Sequence, residues 1–309
     1  MRVVFMGTPD IAATCLKKIL ADGFQVVGAF TQPDRPVGRH GAPVAPPVKQ
    51  LALSHGIPVR QFEKIRSEEG VAALCAFAPD LMVTAAFGQL LSQANLDIPK
   101  HGCINVHGSL LPRYRGAAPI QWAVINGETE TGITTMLTDI GMDTGDILLK
   151  ESTPIGPDET AGELYVRLSV MGAELLRRTI AALEAGTLTR EKQNEADASK
   201  CPMLKKEHGK LDLSQSAQRV HNLVRGVNPW PGAFALWDGA PLKIWKTRLC
   251  KRENPRLPAG TCIGDAKQGL FLQCGDGLVE VLELQAPGGR RMDGRSFLRG
   301  KSLEGAVLQ

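Results

Sequence analysis

The chain opens with a short unbroken apolar run, Val3 to Met6, that ends in Gly7-Thr8-Pro9-Asp10. Ile11, Ala12, Cys15, Leu16, Ile19 and Leu20 then recur at helical spacing, and a second apolar run fills 26–31. A continuous apolar run bounded by turn residues predicts a strand buried on both faces, and recurrence at i, i+3 and i+4 predicts an amphipathic helix. Strand, helix, strand in this order is the βαβ unit of a parallel sheet. The alternation repeats, predicting a helix over 48–53, a short strand at 57–59, a helix over 71–77, and strands over 81–87 and 102–107. Residues 133–138 and 146–153 predict a strand pair. Residues 160–184 predict a long helix with Leu164, Leu168, Met171, Leu175 and Leu176 along its buried stripe and a cap among Asp158 to Thr160.

Beyond this helix the pattern breaks. Lys, Glu, Gln, Asn, Ser and Asp dominate 186–209, with Cys201-Pro202-Met203 as the apolar interruption. A helix is predicted over 214–225, followed by Asn228-Pro229-Trp230-Pro231-Gly232, where Trp230 is expected to pack. The remainder reads as short strands separated by Gly, Pro and Asp turns: AFALW, LKIWKTRLC, GTCIG, GLFLQC and GLVEVLELQ. Many short strands in one small region predict an all-β barrel. The expected architecture is therefore α/β: a Rossmann-like parallel-sheet domain over 1–188, a linker over 189–208, and a small OB-like β-barrel domain over 209–309.

Composition narrows the function classes. With 309 residues, 43% hydrophobic and 22% charged, the chain has the content of a globular protein and not of a disordered one. No apolar run approaches the roughly 18 residues of a membrane span, so no membrane partner is expected. The N-terminal stretch reads as a first strand rather than a signal peptide. The 7 cysteines are irregularly spaced without any C-x-x-C, which predicts reduced thiols in a cytoplasmic protein. No heptad stands out, and a monomer is expected. Net charge is +4, but it is unevenly placed: residues 1–205 carry 20 Lys+Arg and 22 Asp+Glu, and residues 206–309 carry 16 and 10. A basic C-terminal module points to a polyanionic partner.

The turn after the first strand lacks G-x-G-x-x-G, and Pro9 removes an amide there, so nicotinamide binding is not expected from the parallel sheet. The densest polar stretch lies elsewhere. Side chains alternate faces along a strand, so Asn105 and His107 share a face at the C-terminal end of their strand, where open α/β sheets place their ligand crevice. An Asn amide can donate to a developing oxyanion, and a His titrates near neutral pH. A second cluster, Asp139-Ile140-Gly141-Met142-Asp143-Thr144-Gly145-Asp146, predicts a tight loop whose carboxylate can orient His107. Cys103 shares the strand face of His107, but no His/Cys spacing offers a metal site, and no metal is expected.

INVHGSLLPRYRGAAPIQWAVINGE (104–128) together with DIGMDTGDIL (139–148) resembles the 10-formyltetrahydrofolate-dependent formyltransferases. FMGTPDIAA (5–13), TQPDRPVGR (31–39) and HNLVRGVNPWPGAFA (221–235) extend the resemblance over essentially the whole chain. It implies that Asn105, His107 and Asp143 form the catalytic set, that Ser109, Leu110, Leu111 and Pro112 bind the folate, and that 10-formyltetrahydrofolate is the cosubstrate. The segment at 221–235 resembles the branch of the family that formylates the α-amine of methionyl initiator tRNA for translation initiation. An amino-sugar nucleotide is the alternative acceptor. The resemblance also implies that the loop over 31–49 grips the tRNA acceptor end, with Arg39 as its contact. Where the family carries lysines beyond that arginine, this chain has His40-Gly41-Ala42-Pro43. Lys243, Lys246, Arg248, Lys251 and Arg252 form a cationic run around Trp245, and Arg290, Arg291, Arg295 and Arg299 form another. Phosphate contact with the tRNA body is the role expected of them.

Overall fold

The computed structural model describes residues 1–36, 41–252 and 255–309. Arg39 lies outside the described residues. The chain gathers into two compact units. One holds Met1–Gly116, Gly132–Thr153 and Tyr165–Lys200, and the other holds Ala117–Thr131, Pro154–Leu164 and Cys201–Gln309.

The first unit is built on strands β1 (Arg2–Gly7), β2 (Gln25–Thr31), β3 (Val59–Gln61), β4 (Leu81–Ala85), β5 (Cys103–His107), β6 (Glu130–Leu137) and β7 (Ile147–Pro154). Their order in one sheet is β7-β6-β5-β4-β1-β2-β3. The β3-β2-β1-β4-β5 run is parallel, and β6 joins β5 antiparallel. The order reverses between β1 and β4, which makes the carboxyl ends of these strands the topological switch of a doubly wound fold. Helices α1 (Asp10–Ala21), α2 (Pro47–Ser54), α3 (Glu68–Cys75), α4 (Gln93–Leu96) and the main part of α6 (Ala161–Glu184) belong to this unit. β1 and β4 are apolar and buried along nearly their whole length, as parallel central strands must be. Val4, Met6, Phe30, Ile65, Leu74, Met82, Phe87 and Cys103 form one core cluster, and each such large side chain contributes about 1.5–3 kcal/mol. The β1–α1 turn is tight: a Cβ at Gly7 would lie 2.5 Å from that of Ala12 and 2.8 Å from the Ala85 carbonyl oxygen. The cap expected near 158–160 is Thr160, whose hydroxyl accepts from Glu163 N at 3.2 Å while the Glu163 carboxylate accepts from Thr160 N at 2.8 Å.

The second unit is an antiparallel sheet of β8 (Ala233–Trp237), β9 (Ala240–Leu249), β10 (Cys262–Ile263), β11 (Leu270–Gln273), β12 (Leu278–Gln285) and β13 (Arg291–Asp293), in the order β8-β9-β12-β11-β10 with β13 also on β12. The last residues close it. Gln309 N donates to Leu236 O at 2.9 Å on the β8 edge, while Leu308 N donates to Gly260 O at 2.9 Å and Cys262 N to Ala306 O at 2.7 Å on the β10 edge. Bonding both edges removes the open rows of amides and carbonyls that an unpaired sheet leaves. The barrel core runs through Val220, Val224, Ala235, Leu242, Ile244, Leu272, Val279, Val281, Leu284 and Leu308.

Three features depart from the sequence pattern. Helices α5 (Pro119–Ile125) and α8 (Gly294–Gly300) lie outside the predicted elements, although Ile120, Ala123 and Val124 do recur at helical spacing in α5. α5 packs on α7 (Ala217–Gly226) within the second unit, where a Cβ at Gly226 would lie 2.5 Å from Ile125 Cγ1. The polar stretch over 189–208 carries short 3-10 turns at Glu195–Asp197 and Lys206–Gly209. Trp230, expected to pack, is 53% exposed. Two prolines flank it in the chain, and neither carries the ring into the core. Among the described residues no helix is long and apolar enough to cross a membrane, and all seven cysteines are free.

His221 on α7 is buried, and both its ring nitrogens are engaged within the second unit. Nε2 donates to the Pro157 carbonyl at 3.0 Å, so Nδ1 accepts from the Thr247 hydroxyl at 3.0 Å. Burial pushes this imidazole below its ordinary value; the Pro157 hydrogen bond opposes it in part, and the Arg225 charge adds to the lowering against a smaller opposing contribution from Asp158. Between the depressed folded value and the unfolded value of about 6.5, the unfolded chain binds more protons, so stability falls as pH falls through that window. The stability advantage of the wild type over His221→Gln, measured by urea unfolding, should therefore shrink as pH drops from 8 toward 5. A constant difference across that range would contradict it.

Candidate active site

The site begins with β5. Asn105 lies opposite Thr84 of β4 in register, which places the two side chains on one sheet face. The Thr84 hydroxyl donates to Asn105 Oδ1 at 3.0 Å and receives the Cys103 thiol at 3.9 Å. This assigns the amide: Oδ1 faces the sheet, and Nδ2, which has no protein acceptor among the described residues, keeps both its N–H groups. Burial pushes the Cys103 thiol up to about 11, so it stays protonated as the donor to Thr84.

His107 ends the strand and is 6% exposed. Nε2 lies 2.9 Å from the Tyr114 carbonyl oxygen. A carbonyl only accepts, so Nε2 carries a proton. Nδ1 lies 3.6 Å from Asp143 Oδ2, which itself accepts from the Gly116 amide at 2.8 Å. A ring carrying both protons thus has an acceptor at each nitrogen. Asp143 and Tyr114 both adopt left-handed backbone, at φ 56 and φ 60, a conformation that is uncommon away from glycine and is found at sites where surrounding structure enforces it.

The loop carrying Asp143 is self-closed. Asp139 accepts from the Thr144 hydroxyl at 2.7 Å and from Gly141 N at 3.0 Å. Gly145 is required by close approach, because a Cβ there would lie 1.7 Å from the Leu137 carbonyl oxygen. Ile140 and Met142 point outward, 73% and 57% exposed.

The segment 109–112 sits against the same strands. The Ser109 hydroxyl donates to Arg113 O at 2.6 Å, and Thr134 Oγ1 donates to Ser109 O at 2.7 Å while receiving Leu111 N at 3.1 Å. Ser109 and Leu111 are buried, the latter with Met136 and Ile147, whereas Leu110 and Pro112 are half-buried. Any ligand meets this segment through Leu110, Pro112 and the main chain rather than through the Ser109 hydroxyl.

Three polar residues of this region went unmarked in the sequence pattern. Thr84 reads as a strand residue, Arg115 as a loop cation, and Gln193 as one polar residue among many. Among the described residues, no group of three or more His, Cys, Asp and Glu could hold a metal ion.

Of the cations on the second unit, Lys243, Lys246 and Arg248 lie on β9, Lys251 and Arg252 just beyond it, and Arg291 on β13. Leu242, Ile244 and Thr247 point inward, and register shifts between Ile244 and Thr247 leave both Trp245 and Lys246 outside the core. Lys243 Nζ lies 5.0 Å and Arg291 Cζ 5.1 Å from the Trp245 ring centre. Arg248 pairs with Glu280 at 2.6 Å, and Arg291 pairs with Glu283. Arg252 lies over Phe271 at 4.6 Å and donates to Gln268 at 3.2 Å. Lys246 and Lys251 are exposed.

Comparison with known proteins fits this layout. Residues 1–180 match the formyl transferase family and residues 203–302 match the formyl transferase C-terminal domain. The chain is 51% identical over 309 residues to the methionyl-tRNA formyltransferase of Geotalea uraniireducens, covering 100% of this chain and 98% of that one. It is 46% identical over 305 residues to the methionyl-tRNA formyltransferase of Ruminiclostridium cellulolyticum, covering 98% of each. Among solved structures, WlaRD, a sugar 3N-formyl transferase studied in the presence of dTDP and 5-N-formyl-THF, shares the fold with a TM-score of 0.67 at 19% identity, over 90% of this chain and 96% of that one. HypX from Aquifex aeolicus in complex with tetrahydrofolic acid shares it with a TM-score of 0.67 at 15% identity, over 96% of this chain and 47% of that one. Full-length identity at this level, with both domains matched in order, places the chain in the methionyl-tRNA formyltransferase family.

Proposed function

We propose that the chain transfers the formyl group of 10-formyltetrahydrofolate to the α-amine of methionyl initiator tRNA, with Asn105, His107 and Asp143 as the residues at the reacting atoms. The observation that carries the site reading is the free amide of Asn105 beside the His107–Asp143 pair. The α-amine, as its free base, attacks the formyl carbon. A C–N bond forms, the carbonyl electron pair moves onto oxygen, and the tetrahedral oxyanion needs donors that are already in place. Asn105 Nδ2 supplies them, held outward by Thr84. The intermediate collapses when the carbonyl re-forms and the bond to N10 breaks. The attacking nitrogen sheds a proton, and N10 takes one up as it leaves. His107 stabilises the developing charge and takes part in this proton movement, with Asp143 and the Tyr114 carbonyl fixing its ring. No step calls for a metal.

Leu110, Pro112 and the main chain of 109–112 form the wall against which the folate lies. The acceptor tRNA is held by the outer face of β9 and the residues just after it, where Lys246 and Lys251 offer charge with no protein carboxylate within ion-pair distance among the described residues. The loop carrying Arg39 serves the acceptor end. An amino-sugar nucleotide is disfavoured as acceptor by the full-length relatives named for methionyl-tRNA and by the basic second unit.

Purified protein, 10-formyltetrahydrofolate and methionyl initiator tRNA should give formyl-methionyl-tRNA, while a methionyl elongator tRNA and an amino-sugar nucleotide in parallel reactions should give little product. Preferential transfer to the sugar would overturn the acceptor assignment. Asn105→Ala should lower kcat by about 10²-fold or more, the scale of a lost oxyanion donor. Thr84→Val should lower it less, about 10-fold, because the amide remains but can rotate. Near wild-type turnover by Asn105→Ala would remove it from the mechanism. Lys246→Glu with Lys251→Glu should raise KM for the tRNA, flatten its dependence on salt, and leave KM for the folate unchanged. An unchanged tRNA KM would move the tRNA to another face.

A further inference from the structure

We infer that Gln193 is a positioning residue for Asp143, acting through the main chain of the loop rather than at the reacting atoms. The inference rests on the role proposed for Asp143 and extends it to a residue in the polar segment after α6.

Asp143 has to be held. Its backbone is left-handed, at φ 56, a conformation disfavoured for a residue with a side chain, and in it the carboxylate lies 3.6 Å from His107 Nδ1. A single side-chain nitrogen clamps the turn from behind: Gln193 Nε2 donates to the Asp143 carbonyl at 2.8 Å and to the Gly145 carbonyl at 2.7 Å. Both of its protons are engaged, one at each end of the Asp143–Gly145 turn.

The amide is fixed in its turn. Gln193 Oε1 accepts from Arg115 Nε at 3.0 Å, so it cannot flip without setting an oxygen against two carbonyls. Arg115 is buried, and its two remaining nitrogens grip Glu195 at 2.9 and 2.7 Å. The Arg115 guanidinium beside it holds the Glu195 carboxyl below the usual carboxylate range. A bidentate pair of this kind fixes orientation as well as charge. Arg115 N also donates to Ser199 O at 2.8 Å. The path is therefore continuous: Glu195 orients Arg115, Arg115 orients Gln193, and Gln193 holds the Asp143 turn.

The arrangement closes on itself. Residues 114–116 bond His107 through the Tyr114 carbonyl and Asp143 through the Gly116 amide, and the side chain of the residue between them secures the far side of the same loop. Gln193 is half-buried in a stretch where 191, 192 and 194–197 are all exposed. Its amide faces the loop and Arg115.

The test is a double-mutant cycle in single-turnover formyl transfer with saturating folate and methionyl initiator tRNA. Gln193→Ala should lower the transfer rate about 10-fold, with KM for both substrates within twofold of wild type and an unchanged thermal midpoint. In an Asp143→Asn background, already slow, the same substitution should cost less than twofold, because the carboxylate whose placement it secures is gone. Glu195→Gln, which loosens Arg115 without removing it, should fall between wild type and Gln193→Ala. An equal loss from Gln193→Ala in both backgrounds, or none in the wild type, would overturn the positioning role. If Asp143→Asn itself transfers at the wild-type rate, the catalytic reading of Asp143 fails first, and the positioning role falls with it.

Discussion

Two main-chain groups two residues apart, the Tyr114 carbonyl and the Gly116 amide, fix the ring of His107 and the carboxylate of Asp143. The rest of the site depends on that short segment. Main-chain groups set their positions with less freedom than long side chains do, so a ring and a carboxylate from distant parts of the chain can face each other at 3.6 Å without a direct hydrogen bond to align them. Left-handed backbone at Tyr114 and Asp143 accompanies this geometry. The compensation comes from the Arg115–Gln193 contacts and from the self-closed turn at Asp139.

The sequence made the site visible wherever chemistry and periodicity coincide. Asn105 and His107 are two apart on a strand, and alternation alone puts them on one face. The doubly wound order then sets that strand end beside the crevice. The Asp139–Asp146 loop is legible through its glycines, and Gly145 is indeed confined by the Leu137 carbonyl. Thr84 and Gln193 were illegible because their meaning is positional: a threonine in a buried strand and a glutamine in a polar tract become informative only when register and long-range folding place them against Asn105 and Asp143. The same holds for Trp230, whose exposure no local pattern specifies.

Charge counting is subject to a similar limit. The basic excess of the last third is real, yet Glu280 and Glu283 on β12 stand opposite Arg248 and Lys246 on β9, and Glu283 also pairs with Arg291. Exposed pairs of this kind contribute little to stability, typically ~0–1 kcal/mol. Their effect here is on the field: they neutralise some of the cations, while Lys246 and Lys251 are exposed. A surface of this kind presents carboxylate-paired guanidinium groups beside exposed ammonium groups.

The two halves of the site differ in what secures them. Asn105 is fixed by Thr84, a neighbour in the parallel sheet, and strands at the centre of a sheet are among the last elements to open. Asp143 is fixed by a loop, by 114–116 and by the segment around Gln193, all outside the sheet. The Asn105 amide is therefore rigid by construction, while the placement of Asp143 beside His107 depends on segments that open more readily. Displacing 190–199 would leave Asn105 in place and release Asp143. It follows that the Asp143 side of the site is the side that can respond to what binds near the polar segment, and the Asn105 amide is the side that cannot.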